Sequence, residues 1–335
     1  MTGTSIGVIG AGAWGTALAQ VAANAQAGSG AVVRLWLRDE AAAIEINRTH
    51  ANESKLPGVR LSPAILATSK MRDMAGCAII LLAVPAQTVR SVTQALAPHL
   101  TPGVRLVITA KGFERGTAAM MTDVIAVTCP AAEPLVLSGP SFADDVVRGL
   151  PTAVTLAART LEIAGAVAAE ISVPTFRLYL SDDLVGVQVG GAVKNVLAIA
   201  CGIVAGRRLG ESARSALIAR AFAELTRIGR VMGARAETLG GLSGLGDLVL
   251  TCSSLQSRNY RLGVGLGEGR GLSEILGMQR GTSEGAFTAN VVLEIARRQG
   301  VEVPIVEAVN EILEGRASID GAIGRLLQRP TKSEF

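Results

Sequence analysis

The most constraining stretch of the chain lies between residues 6 and 19. Ile6-Gly7-Val8-Ile9 reads as a short strand, Gly10-Ala11-Gly12-Ala13-Trp14-Gly15 as a tight turn, and Thr16-Ala17-Leu18-Ala19 as the start of a helix. A GxGxxG turn between a strand and a helix is the signature of a dinucleotide site. Gly10 permits the turn, Gly12 lets the backbone approach a pyrophosphate, and Gly15 lets helix and strand pack closely. The helix N-terminus then offers free N–H groups and positive potential to the phosphates. A chain that opens this way is committed to a layered α/β sheet.

The rest of the first half agrees. Short β-branched runs alternate with helical patterns, which predicts βαβ units and a Rossmann-type, doubly wound parallel sheet. Strands are predicted at residues 5–9, 32–37, 78–84, 105–109, 135–138 and 152–156. The later ones stop at Val84-Pro85-Ala86, Ala110-Lys111-Gly112 and Gly139-Pro140-Ser141. Ligands of open α/β sheets sit beyond the carboxyl ends of the strands, so these turns are site candidates together with Gly10–Gly15. From about Ser181 strand signals vanish, and helices are predicted at 182–205, 212–232, 245–253, 286–299 and 304–314. The expected organisation is a dinucleotide-binding domain over 1–187 and an all-α substrate domain over 188–335.

Composition narrows the class of partner. With 49% hydrophobic and 18% charged residues over 335 positions, the chain reads as soluble and globular. A net charge of +4, without a basic run and with 3% aromatics, argues against nucleic acid. Cys77, Cys129, Cys201 and Cys252 lack the close pairing of zinc or redox sites, and read as reduced thiols of a cytoplasmic protein. No metal is expected, and no secretory pattern precedes the first strand. Residues 184–206 are long enough to cross a membrane, but they carry Gln188, Lys194, Asn195 and five glycines. A buried helix, not membrane insertion, is the expectation.

The chemistry must be built without much histidine, since only His50 and His99 are present. A hydride delivered to a carbonyl carbon leaves an oxyanion that needs a proton donor. Lys194 is the sole charged residue of its apolar helix, and burial lowers the pKa of a lysine unless a carboxylate holds it charged. Asp247 opens another apolar stretch, with Thr251 one turn later on the same face, and is a candidate partner for Lys194. Gln256-Ser257-Arg258-Asn259 offers a guanidinium fork and an amide suited to a phosphate of substrate or cofactor. Lys111 is a second cation at a strand end. At the end of the second strand, where an acidic residue would bind the ribose of NAD, the chain reads Leu37-Arg38-Asp39. Arg38 favours the 2′-phosphate of NADP, and Asp39 keeps NAD open.

In family order from residue 6 to about 290, these segments resemble the bacterial NAD(P)-dependent glycerol-3-phosphate dehydrogenases. The matching runs include Gly10 to Ala19, Leu35-Trp36-Leu37-Arg38, Leu56-Pro57-Gly58, Thr109-Ala110-Lys111-Gly112, Ser138 to Ala143, Gly149-Leu150-Pro151-Thr152, Gly190 to Asn195, Gly244 to Leu248 and Gln256 to Asn259. The resemblance implies reduction of dihydroxyacetone phosphate to sn-glycerol 3-phosphate, a glycerophospholipid precursor, by a homodimer. It assigns Lys194 as general acid and base, Lys111 and Asn195 as groups that position and polarise the substrate, and Asp247 and Thr251 as support. Arg258 and Asn259 would hold the substrate phosphate, and Gly139, Ser141 and Ser257 would complete its rim. The dinucleotide would contact Gly10, Gly12, Ala13, Trp14, Gly15, Arg38, Lys111, Ala143, Arg258, Thr282 and Glu284. A β-hydroxyacid dehydrogenase of related architecture would leave Asp247 and Arg258-Asn259 unexplained. A non-catalytic NADP-binding regulator would have no need of Lys111, Lys194, Asn195 and Asp247 together.

Overall fold

The computed structural model describes residues 4–278 and 284–330 of the chain. They divide into two compact units, one of residues 4–114 and 119–188, the other of residues 115–118 with the chain from 189 onward.

The first unit is built on an eight-stranded sheet of β1 (Ile6–Ile9), β2 (Val33–Trp36), β3 (Ile65–Thr68), β4 (Ile79–Leu82), β5 (Arg105–Ile108), β6 (Glu133–Ser138), β7 (Thr152–Ala157) and β8 (Phe176–Ser181). Its order is β3-β2-β1-β4-β5-β6-β7-β8. All pairings are parallel except β6 with β7, which run antiparallel. Alternate residues feed two separate cores, as a sheet covered on both faces requires. Ile79 and Leu81 join Val8, Leu35 and Val107 beside Leu18 and Val21 of the helix Ala13–Ala25. Ile80 and Leu82 point the other way, to Val89, Leu96, Val124 and Ile125. Strand order reverses beside β1, which pairs with both β2 and β4, so the Gly10–Gly15 turn sits at the topological switch point.

Strands β3 and β8 were not among the expected ones. β3 and β8 are the sheet edges, and their burial alternates or is sparse, so neither makes an apolar run.

The second unit is helical. After the long helix Leu184–Gly206 come Glu211–Val231, Ala236–Gly240, a π-helical turn Leu242–Gly246 and the helix Asp247–Ser253. Arg258–Gly267, Leu272–Met278, Glu284–Arg298, Pro304–Leu313 and Ile319–Leu327 follow. Leu184–Gly206 is apolar and long enough to span a bilayer, but 83% of its apolar 18-residue stretch is buried within the protein. It is a core helix.

Two of these helices touch through their backbones. A Cβ at Gly202 would lie 2.1 Å from the Tyr260 carbonyl oxygen, and one at Gly206 2.3 Å from that of Val264. The approach is reciprocal, since a Cβ at Gly263 would lie 2.1 Å from the Ile199 oxygen and one at Gly267 2.6 Å from the Ile203 oxygen. Four glycines at i, i+4 spacing therefore set the distance between helices 184–206 and 258–267. Arg258 stands in the first turn of the second of these helices, with Ser257 as its N-cap.

Candidate active site

In the first unit, the glycine-rich turn has the shape of a phosphate cradle. Gly10 adopts φ +107°, and a Cβ there would lie 2.5 Å from the Ala83 oxygen. At Gly15 a Cβ would lie 1.8 Å from the Gly10 oxygen, which rules out any side chain. Around Gly12, by contrast, a Cβ would meet nothing within 4 Å, so the turn is open where a pyrophosphate approaches. No side chain caps the helix Ala13–Ala25, and its first-turn N–H groups have the dipole and donors that an anion needs. The residues present thus fit a dinucleotide. Ala13 is the first residue of this helix, and Trp14 packs its ring 6.4 Å from that of Phe176.

A residue that the sequence did not single out holds the turn. Asn52 is buried, and its Nδ2 donates to the Ala11 carbonyl at 3.0 Å and to Thr16 Oγ1 at 2.8 Å. Asn52 follows a helix by three residues and looks like any loop amide, so no local signal marks it.

Arg38 lies two residues beyond β2, exposed, with no hydrogen bond or ion pair to another described residue. Asp39 is occupied differently. Its carboxylate accepts the Ala42 N–H at 3.1 Å and caps the helix Glu40–Thr49. The acidic group nearest the ribose position is therefore already engaged.

Lys111, half-buried just past β5, donates from Nζ to the Gly139 carbonyl at 3.0 Å. Ser141 Oγ donates to the same carbonyl at 3.2 Å. Lys111, Gly139 and Ser141 thus form one cluster at the ends of β5 and β6. Ala143 opens the short helix Ala143–Val147 directly after it.

In the second unit the central feature is a buried ion pair. Lys194 Nζ donates to Asp247 Oδ1 at 2.7 Å and to Thr251 Oγ1 at 2.7 Å, and Thr251 Oγ1 donates to the same carboxylate oxygen at 3.1 Å. The side chains of Lys194 and Asp247 are 7% and 2% exposed. Desolvation favours a neutral amine, while a carboxylate at this distance holds the proton on it. Asp247 is placed by the π-helical turn before it, and that turn is pinned to the lysine helix, since a Cβ at Gly190 would lie 2.6 Å from the Ser243 oxygen. Wide helical turns of this kind are frequent at functional sites.

Asn195, next to the lysine, accepts at Oδ1 from Asn259 Nδ2 at 3.0 Å. Asn259 Oδ1 in turn accepts the Gly285 N–H at 3.1 Å. Both asparagines are buried. This coupling was not foreseen, because Asn195 and Asn259 are 64 residues apart. Ser257 is buried, and its Oγ accepts the Tyr260 N–H. Arg258 is exposed at the start of the same helix, and Glu284 begins the helix Glu284–Arg298 beside Gly285. Thr282 lies outside the described residues.

A lysine and carboxylate held in a dry helical core, beside an oriented amide, can deliver a proton to a carbonyl oxygen. Comparison with known proteins gives the same direction. Residues 5–164 match the model of the NAD-dependent glycerol-3-phosphate dehydrogenase N-terminus, and residues 183–324 match that of its C-terminus. A glycerol-3-phosphate dehydrogenase [NAD(P)+] from Azorhizobium caulinodans is 55% identical over 98% of both chains. One from Caulobacter vibrioides is 51% identical over the full length of both. The crystal structure of glycerol-3-phosphate dehydrogenase from Coxiella burnetii superposes with a TM-score of 0.92 at 35% identity, over 98% of this chain and all of that one.

Proposed function

The chain belongs to the NAD-dependent glycerol-3-phosphate dehydrogenase family, and on that premise we propose that it reduces dihydroxyacetone phosphate to sn-glycerol 3-phosphate with NADPH or NADH, Lys194 supplying the proton. The observation that carries this reading is the buried Lys194–Asp247–Thr251 cluster. When bound, the reduced nicotinamide supplies a hydride to the ketone carbon. The Lys194 ammonium gives its proton to the carbonyl oxygen as negative charge develops there, and in the reverse reaction the neutral amine takes that proton back. Asp247 and Thr251 hold the amine in one orientation, so that little reorganisation accompanies the transfer.

Asn195, fixed by Asn259, polarises the carbonyl. Lys111, Gly139, Ser141, Ser257, Arg258 and Asn259 bind the phosphorylated substrate. Gly10, Gly12, Ala13, Trp14, Gly15, Lys111, Ala143, Arg258, Thr282 and Glu284 contact the dinucleotide. Arg38 takes the 2′-phosphate of NADP and sets the preference for it. The product feeds glycerophospholipid synthesis, and the enzyme acts as a cytoplasmic homodimer, which light scattering on the purified protein and cell fractionation would test.

The primary experiment follows loss of NADPH absorbance with dihydroxyacetone phosphate, beside unphosphorylated dihydroxyacetone and with NADH in place of NADPH. Turnover confined to the phosphorylated ketone supports the reading. Lys194→Ala should abolish turnover while NADPH affinity stays within a few-fold, and undiminished turnover by that variant would remove Lys194 from its role.

A further inference from the structure

A cavity of about 840 Å³ opens in the helical unit, and none of the residues around it belongs to the Lys194 cluster. Its charged wall consists of Arg220, Arg227 and Arg230 from one helix, Arg329 from the end of the chain, and the carboxylates Glu224 and Glu302. Arg227 Nε donates to the Glu302 carbonyl at 3.2 Å, and Arg329 to the Glu302 carboxylate at 2.8 Å. The side chains of Arg220 and Arg230 make no hydrogen bond or ion pair to any described residue. They are ten residues apart, about 15 Å along the helix, with Arg227 between them. Leu217, Val231, Ile305 and Leu326 supply an apolar lining between these cations.

The innermost carboxylate does little to offset the positive charge. Glu224 is 1% exposed, and its two oxygens accept the N–H groups of Ile305 at 2.7 Å and Val306 at 3.2 Å, capping the helix Pro304–Leu313. Burial pushes its pKa up to about 7 against the pull of those two bonds and of Arg227 and Arg329. Near neutrality Glu224 is therefore only partly ionised. Among the described residues, four guanidinium groups then face the carboxylate of Glu302, with Glu224 as a fractional second.

We propose that this cavity binds a small organic anion with an apolar body, its charged group held by Arg220 and Arg230 and its hydrocarbon part seated on Leu217, Val231, Ile305 and Leu326. The volume lies within the range of about 300–1,000 Å³ in which small-molecule sites are found. Unpaired guanidinium forks above an apolar lining select for that combination of chemistries and reject a purely polar or purely apolar ligand. Since the cavity uses no residue of the dehydrogenase site, its occupancy is separable from turnover.

The test uses 8-anilinonaphthalene-1-sulfonate, an anion with an apolar body, and its uncharged parent N-phenyl-1-naphthylamine. Both are titrated by fluorescence into the full-length protein saturated with NADPH, which keeps the probe out of the dinucleotide site. The sulfonate should bind once per chain and about tenfold or more tightly than the neutral parent. Arg220→Glu with Arg230→Glu should weaken it about tenfold or more while leaving ketone turnover within about twofold. Should that double variant fail to fold, Arg220→Gln with Arg230→Gln gives the same reading in milder form. In the parent protein the affinity should fall between about pH 6 and pH 8 as Glu224 ionises, and Glu224→Gln should flatten that slope. Equal binding of the neutral dye, or sulfonate affinity unmoved by loss of both arginine charges, overturns the proposal.

Discussion

Asn259 donates its side-chain amide to Asn195 across 3.0 Å and uses its oxygen to accept the Gly285 N–H. The amide beside Lys194 is thus aimed by a residue on another helix, which is itself anchored by the backbone of a third. Asn259→Ala removes the bond that holds the Asn195 oxygen and should lower kcat/KM by about 100-fold, the scale of a small misplacement in a site. Asn259→Asp, which sets a carboxylate against the Asn195 oxygen, should lose at least as much. Steady-state kinetics on both variants, with thermal melting to check the fold, would decide the matter; full activity in Asn259→Asp removes the coupling from the mechanism.

The buried ion pair gives a pH effect with a definite sign. Ketone reduction needs Lys194 protonated, and Asp247 at 2.7 Å favours that form. Asp247→Asn removes the carboxylate and leaves burial to act alone. The falling limb of the rate profile for reduction should therefore move to lower pH. Breaking such a pair from one side should also cost about 3–5 kcal/mol of stability. A profile that stays in place would mean that another group titrates.

Glu224 predicts an unusual stability curve. Its carboxyl is raised from the ordinary 4.5 to about 7 by burial in the folded chain. The folded state therefore holds a proton that the unfolded chain releases earlier, so stability is fully present below about pH 4.5 and declines as pH rises through about 7. The full shift is worth about 3 kcal/mol. Glu224→Gln should flatten this decline and melt higher than the parent protein above about pH 7, less whatever is lost from one of the two backbone contacts. Melting curves across that window would show it, and parallel curves would contradict it.

Two glycines should respond to alanine with opposite signs. At Gly202 a Cβ would lie 2.1 Å from the Tyr260 oxygen, and backbone cannot yield as a side chain can. Gly202→Ala should cost about 1–3 kcal/mol or more, and should slow turnover as the helices are forced apart. Gly324, inside the helix Ile319–Leu327, has nothing within 4 Å. Gly324→Ala should gain about 0.5–1 kcal/mol through helix propensity alone. Chemical denaturation of the two variants separates packing from propensity.

Cofactor preference should turn on one exposed side chain. Arg38 has no described partner, and Asp39 is engaged as a helix cap. Arg38→Ser should raise KM for NADPH about tenfold or more and leave that for NADH within about twofold, in keeping with the loss of charge-assisted bonds to one phosphate. Equal effects on both cofactors would place Arg38 elsewhere.

What the sequence reveals follows the distribution of apolar residues. The inner strands stand out because both faces of the sheet are covered, as at Ile79–Leu82, where every residue is buried. The edge strands Ile65–Thr68 and Phe176–Ser181 carry exposed positions and lose that signal. The helix Arg258–Gly267 is hidden by Gly263, Gly265 and Gly267, which count against a helix locally, yet Gly263 and Gly267 are required by the approach of helix 184–206. At the candidate site, Lys194 is conspicuous as a lone charge in an apolar helix. Asn52 and the bond between Asn195 and Asn259 are not, because each depends on pairing across many residues of chain. Glu224 reads as one more surface acid among arginines until the fold buries it.

The backbone contact between helices 184–206 and 258–267 bears on how this protein can vary. Where side chains separate two helices, every substitution between them resets the spacing, and anything mounted on the helices drifts with it. Here main chain rests on main chain at Gly202, Gly206, Gly263 and Gly267. The gauge that sets Asn195 against Asn259 is thus the peptide unit itself, which mutation cannot enlarge or shrink. The surrounding core is free to be repacked over generations without retuning the asparagine pair, at the expense of four positions that accept glycine alone.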